Sequence, residues 1–167
     1  MTGRKAVPLL LWAAVLFLVA VIFHFSAQPA AQSSETSSPF VDVYMRLFHP
    51  EADGLSPEER FDLRESASFI VRKTAHFSIY TLLGALLTAA VSATFSAYGM
   101  KRLWLPFLLG ALWAVSDEIH QYFVPGRSCE LRDMTIDSAG VLLGVLLFTA
   151  CARVTFSIRK KRRKRQR

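Results

Sequence analysis

Residues 116–137, SDEIHQYFVPGRSCELRDMTID, crowd acids, a histidine, an amide and two arginines between two hydrophobic runs. The run before this stretch, Leu103 to Ser116, has fourteen residues. As a helix it covers about 21 Å, short of a hydrocarbon core of about 30 Å. A crossing helix must therefore continue through Asp117, Glu118, His120 and Gln121 toward Tyr122 and Phe123. That draws those polar residues to the membrane boundary, and Pro125-Gly126 ends the helix beyond them.

Working outward, 52% of the 167 residues are hydrophobic and mean hydropathy is +0.30. These residues are blocked into long runs without amphipathic spacing, which points to membrane helices over a soluble core. Spans are expected at about residues 6–25, 75–95, 103–123 and 134–158. The predicted fold is all-α: a four-helix transmembrane bundle over residues 1–158, followed by a basic tail at 159–167. A cleaved signal peptide competes for the first run, given Arg4-Lys5 before it and Ala27, Ala30 and Ala31 after it. Its length and the spans that follow favour retention.

Residues 28–38 read as a polar linker, and Ser38-Pro39 as the start of a short amphipathic helix in the first outer loop. Phe40, Val43, Tyr44, Leu47 and Phe48 form its apolar stripe, suited to the outer membrane surface or to packing on the bundle. Pro50 to Gly54 breaks it. Ser56-Pro57-Glu58-Glu59 is a capping box from which a helix runs through Phe61, Ala67 and Ile70 into the second span. Lys101-Arg102 marks a turn, and Gly140 and Gly144 form a GxxxG in the last span.

The net charge is +7, with its excess in residues 159–167. A basic run directly after a hydrophobic segment orients the chain and contacts anionic lipid. No aromatic-interleaved surface accompanies it, so nucleic acid is excluded as a partner. The positive flanks put both termini in the cytoplasm, and the acid-rich residues 35–65 and 116–137 outside. Cys129 and Cys151 then lie near opposite faces, unsuited to a disulfide.

That topology gathers three helix ends. One carries Lys73, His76 and Tyr80 on a single face, and the next carries Asp117, Glu118, His120 and Gln121. Arg127, Arg132, Asp133 and Asp137 follow. A carboxylate beside a histidine prepares it for proton transfer, and an arginine fork suits phosphate. Acids with a histidine could instead hold a divalent metal. The plainer readings make Lys73 and Arg132 interfacial anchors, Arg127 a loop fastener toward Asp133 or Glu130, Asp137 a helix-start acid and His120 a surface histidine. His76 and Glu118 resist them, because polar groups at that depth need a partner or a function.

The patterns K-x-x-H-F-x-x-Y (73–80), D-E-I-H-Q-x-F-V-P-G-R (117–127) and R-D-M-x-x-D-x-x-G (132–140) resemble the VanZ-like family, named after an accessory teicoplanin-resistance protein. The opening F-H-F-S-A-Q-P (23–29) is similar too, and the resemblance covers nearly all but the basic tail. It implies a four-span bundle in the bacterial cytoplasmic membrane, with a signature at His76, Tyr80, Glu118, Gln121, Arg127, Asp133 and Asp137. Cys129 stands where the family often has glycine, which bears on loop flexibility. The implied role lies in envelope or cell-wall lipid metabolism.

The expected function is chemistry on a lipid-phosphate head group, of a membrane lipid or a polyprenyl-linked cell-wall precursor, by a hydrolase or transferase. His76 acts as acid or base with Glu118 as its partner, and Asp137 orients them or binds metal. Lys73, Tyr80, Gln121, Arg127 and Asp133 bind substrate, with Arg127 on the phosphate. The alternative is a non-catalytic binder of a precursor or glycopeptide that confers tolerance. Transport is disfavoured, because Phe77 to Phe95 is almost wholly apolar below Tyr80.

Overall fold

A computed structural model describes residues 3–95 and 101–166. Among them are five α-helices: α1 (Gly3–Ser26), α2 (Ala30–Phe48), α3 (Pro57–Thr94), α4 (Lys101–Tyr122) and α5 (Leu131–Arg165). A 3-10 turn, Pro50–Gly54, joins α2 to α3. The chain is a multi-pass membrane protein, but the expected four-helix transmembrane bundle is not what forms. Three helices are long and apolar enough to cross a membrane, at Ala6–Ser26, Pro57–Thr94 and Leu131–Arg163. The fold is all-α with five helices. α4 does continue through Asp117 to Gln121, as its short apolar run requires. Those same acids remove it from the crossing set, and they point inward, Asp117 and Glu118 being almost wholly buried.

α2 corrects a second expectation. Residues 30–38 are helical rather than a linker, and Pro39 lies inside the helix. The entering turn is tied down by tertiary contact, Ala30 N–H donating to the Pro125 carbonyl at 3.1 Å. Ser38 does not cap; its hydroxyl accepts from Arg64 at 2.9 Å, beside an Arg64–Asp42 ion pair at 2.6 Å. Val41 and Met45 are buried against Ala52 and Ala67, while Phe40, Val43, Leu47 and Phe48 stay exposed. The helix is thus apolar on two sides, one of them against the protein.

The start of α3 is as expected. Ser56 accepts from Glu59 N–H, and Glu59 accepts from Ser56 N–H at 3.0 Å, which completes the capping box. Pro125-Gly126 follows α4, with Gly126 at φ +73°, a backbone angle that favours glycine. The turn expected near Lys101-Arg102 involves residues 96–100, which lie outside the described residues. Lys101 itself opens α4.

The most extensive helix contact is between α3 and α5. It depends on small residues: a Cβ at Gly140 would sit 2.6 Å from the Phe77 carbonyl oxygen, and Cβ atoms at Gly84 and Gly144 would strike Val141 and Thr81 backbone. Around this contact Val15, Leu18 and Ile22 of α1 join Tyr80, Leu83 and Leu87 of α3, Ala114 of α4, and Val141 and Val145 of α5 in one core. Hydrogen bonds mark its two ends. Trp12 Nε1 donates to Thr94 Oγ1 at 2.9 Å and Arg102 Nε to Ser92 Oγ at 2.9 Å. At the other end Ser26 and Tyr80 meet Asp117. Three helices therefore deliver polar side chains to one end of the core.

Candidate functional site

Asp117 is the hub of that polar end. Its Oδ2 accepts from Ser26 Oγ at 2.8 Å, Tyr80 OH at 3.1 Å and Gln121 Nε2 at 3.3 Å. Three helices are thereby joined through one carboxylate oxygen, and the Asp117–Gln121 bond follows from i, i+4 spacing on α4. The second oxygen, Oδ1, is buried and lacks a partner among the described residues. Asp137, in the first turns of α5, is 1% exposed and also has a buried oxygen, Oδ2, without a hydrogen bond among the described residues. His76 Nδ1 faces that atom at 3.6 Å, just beyond bonding distance.

Ligand atoms of His76, Asp117 and Asp137 lie within 4.8 Å of one another. One imidazole and two carboxylates could hold a divalent cation, a donor set shared by several metals. The fit has an electrostatic reason. Buried carboxylates are costly unless paired, and two of these have an oxygen that meets no donor.

Glu118 is 1% exposed and occupied by the loop. Its Oε2 accepts from Glu130 N–H at 3.2 Å and its Oε1 from Gln121 Nε2 at 3.3 Å. The carboxylate that faces His76 is therefore that of Asp137, not Glu118. Lys73 forms an ion pair with Asp133. Its ammonium and the Arg132 guanidinium also flank the Phe69 ring, at 5.4 Å and 4.7 Å from the centroid. Lys73 is thus committed to a partner rather than left as a free interfacial anchor.

Arg127 does not fasten the loop by pairing with Asp133 or Glu130. Its Nε donates to the Gln28 carbonyl at 3.2 Å, and Glu130 pairs with Arg132 at 2.8 Å. Burial, and then the neighbouring Arg72 charge, push the Arg127 pKa below its ordinary value. Arg127, Arg72 and His76 line one cavity of about 740 Å³. His120 is half-buried and stacks on Phe23, centroids 4.5 Å apart, rather than lying free on the surface.

The chain thus folds His76, Tyr80, Asp117, Gln121 and Asp137 into one polar cluster, with Glu118 and the Lys73–Asp133 pair at its loop side. Ser26 and the central position of Asp117 went unread in the sequence. The signal for Asp117 was its i−4 spacing from Gln121; Ser26, a small residue ending a hydrophobic run, carries no comparable sign. Cys129 and Cys151 are both free. Residues 11–153 match the family model described as VanZ/LLP1. No curated protein matches, and neither does any solved structure.

Proposed function

This chain belongs to the VanZ/LLP1 family, and from that membership together with its polar cluster we propose that it acts on the phosphate-bearing head group of a membrane lipid. The observation that carries this reading is a histidine facing a buried aspartate beside an arginine-lined cavity. Asp137 orients His76, and His76 moves the proton. Arg127 supplies planar donors for the phosphate. Tyr80 and Gln121 act through Asp117 and hold the cluster in shape. Glu118 keeps the 127–130 loop, and so Arg127, in place. The biological setting is the bacterial envelope, with the polar end outward and the basic segments in the cytoplasm.

A second reading is favoured by the unpartnered oxygens of Asp117 and Asp137. His76 would then join them as metal ligand, and the cation would supply charge neutralisation at the phosphate. Equilibrium dialysis of the purified full chain against Mn²⁺ or Zn²⁺ separates the two. Stoichiometric binding lost in both Asp117→Asn and Asp137→Asn assigns His76 to the metal, and no binding leaves it the proton carrier.

The reaction itself is tested by incubating purified protein with synthetic lipid phosphates and following released phosphate or transferred head group. Turnover is expected to fall at least about a hundredfold in His76→Ala, the scale of general acid–base assistance. Unchanged turnover in folded His76→Ala overturns the role given to His76. Binding of the lipid without product marks the chain as a binder.

A further inference from the structure

The cavity that begins at His76, Arg72 and Arg127 continues as an apolar groove between α1, α2 and α3. Its walls include Ile22 and Phe25 of α1, Val43 and Leu47 of α2, and Ile79 of α3. A volume of about 740 Å³ is that of sites which enclose sizeable small molecules. Val43 and Leu47 are 55% and 69% exposed, so this wall of α2 is open among the described residues. The opposite face of the same helix, through Val41 and Met45, is already spent on α3. The groove wall is therefore held rigidly in place by contacts elsewhere on α2.

The polar end has a definite charge. Arg72 and Arg127 form no ion pair among the described residues, although seven other such pairs are present. Their charges disfavour one another, partly offset at Arg127 by Glu118, Asp117 and Asp133, and an intervening anion relieves the rest. Arginine forks suit a phosphate monoester in particular. Apolar walls leading to two unpaired guanidinium groups match an amphiphile with an anionic head, not a neutral or cationic one.

We infer that the groove binds the hydrocarbon tail of the lipid while Arg72 and Arg127 together grip its phosphate. Arg72 thereby gains a binding role, and α2 becomes the wall along which the tail lies. This rests on the head-group reading above for the ligand's phosphate, but not for any reaction at His76. The lipid reaches the groove sideways, from the membrane, because that wall of α2 is open.

The test uses the full chain in non-ionic detergent and measures binding of hexadecyl phosphate, hexadecanol and inorganic phosphate by calorimetry. Hexadecyl phosphate should bind at least about tenfold more tightly than either other probe. Arg72→Gln should weaken it by about tenfold, one charge-assisted hydrogen bond's worth. Val43→Trp, a substitution at an exposed position, should weaken it by filling the groove while leaving the melting temperature unchanged. His76→Ala should still bind hexadecyl phosphate. Equal binding of hexadecanol overturns the role of the arginines, and equal binding of inorganic phosphate overturns the role of the groove. If turnover depends on His76 while Arg72→Gln and Val43→Trp bind normally, the groove inference fails and the head-group reaction stands. If both variants weaken binding and no lipid phosphate is turned over, the groove stands and the reaction fails.

Discussion

At the residue scale, most of the polar end is organised around one oxygen atom. Asp117 Oδ2 collects donors from α1, α3 and α4, and Asp117 itself is 2% exposed. Removing the acceptor strands three donors, whereas removing one donor leaves the rest in place. Asp117→Ala should therefore destabilise the chain by about 2–4 kcal/mol, and Tyr80→Phe by about 1 kcal/mol or less. Thermal unfolding in detergent measures both, and equal losses in the two variants would contradict the hub. Glu118 supplies a second contrast. Its carboxylate holds the Glu130 N–H, so Glu118→Gln should preserve much of the loop while Glu118→Ala frees it. Protease resistance of the 127–130 segment reads the difference. The resemblance pointed to Glu118 as a signature position, and the cost of polar groups at that depth made His76 its expected partner. Only the turn of α4 and the loop decide that Asp137 takes that place.

At the scale of the helices, the α3–α5 contact is set by absent side chains. Gly84, Gly140 and Gly144 each put a backbone against the partner helix where a Cβ would collide. In the sequence Gly140 and Gly144 stand out as a GxxxG, whereas Gly84 belongs to no such pattern. Gly144→Ala should cost about 1–3 kcal/mol through overpacking, and it should also displace Asp137 from His76, since both sit on these two helices. A fall in unfolding temperature together with lost lipid-phosphate turnover is the expected pair of results. The start of α3 behaves differently. Its capping box was legible because the bonds are local, between Ser56 and Glu59. Ser56→Ala should cost about 1 kcal/mol and leave turnover unchanged, as the cap lies between roughly five and six turns from His76 along the helix.

At the scale of the whole molecule, Ser26 at the end of α1 and Asp137 near the start of α5 both belong to the polar cluster around Asp117. Exposed Cys129 sits beside the cluster and so reports its side of the membrane. A membrane-impermeant maleimide should label Cys129 in intact cells, and labelling only in inverted vesicles would reverse the proposed orientation. The far end of α5 carries its helix into the basic segment as far as Arg165. Replacing Arg162 and Arg163 by glutamine should weaken adsorption of that segment to anionic vesicles by about 1 kcal/mol per residue at low salt, with little change on neutral vesicles. Co-sedimentation with the two vesicle types makes the comparison.

The sequence by itself determined the helical membrane class, the capping box of α3, the continuation of α4 through its acids, and the family. Each of these depends on composition or on residues within a few positions of one another. It misjudged how many helices cross, because charges in α4 were counted against a boundary when they are turned toward neighbouring helices. It also missed the first turns of α2, which are secured by a backbone bond to Pro125. The tertiary structure alone decided which acid meets His76, that Asp117 unites three helices, and that Arg72 and Arg127 stand together over an apolar groove. Those are matters of helix rotation and approach, and they depend on glycine contacts and buried hydrogen bonds between residues about 40 to 90 positions apart. The charged stretch 116–137 thus announces that a polar site exists, while its working geometry comes from the helices packed around it.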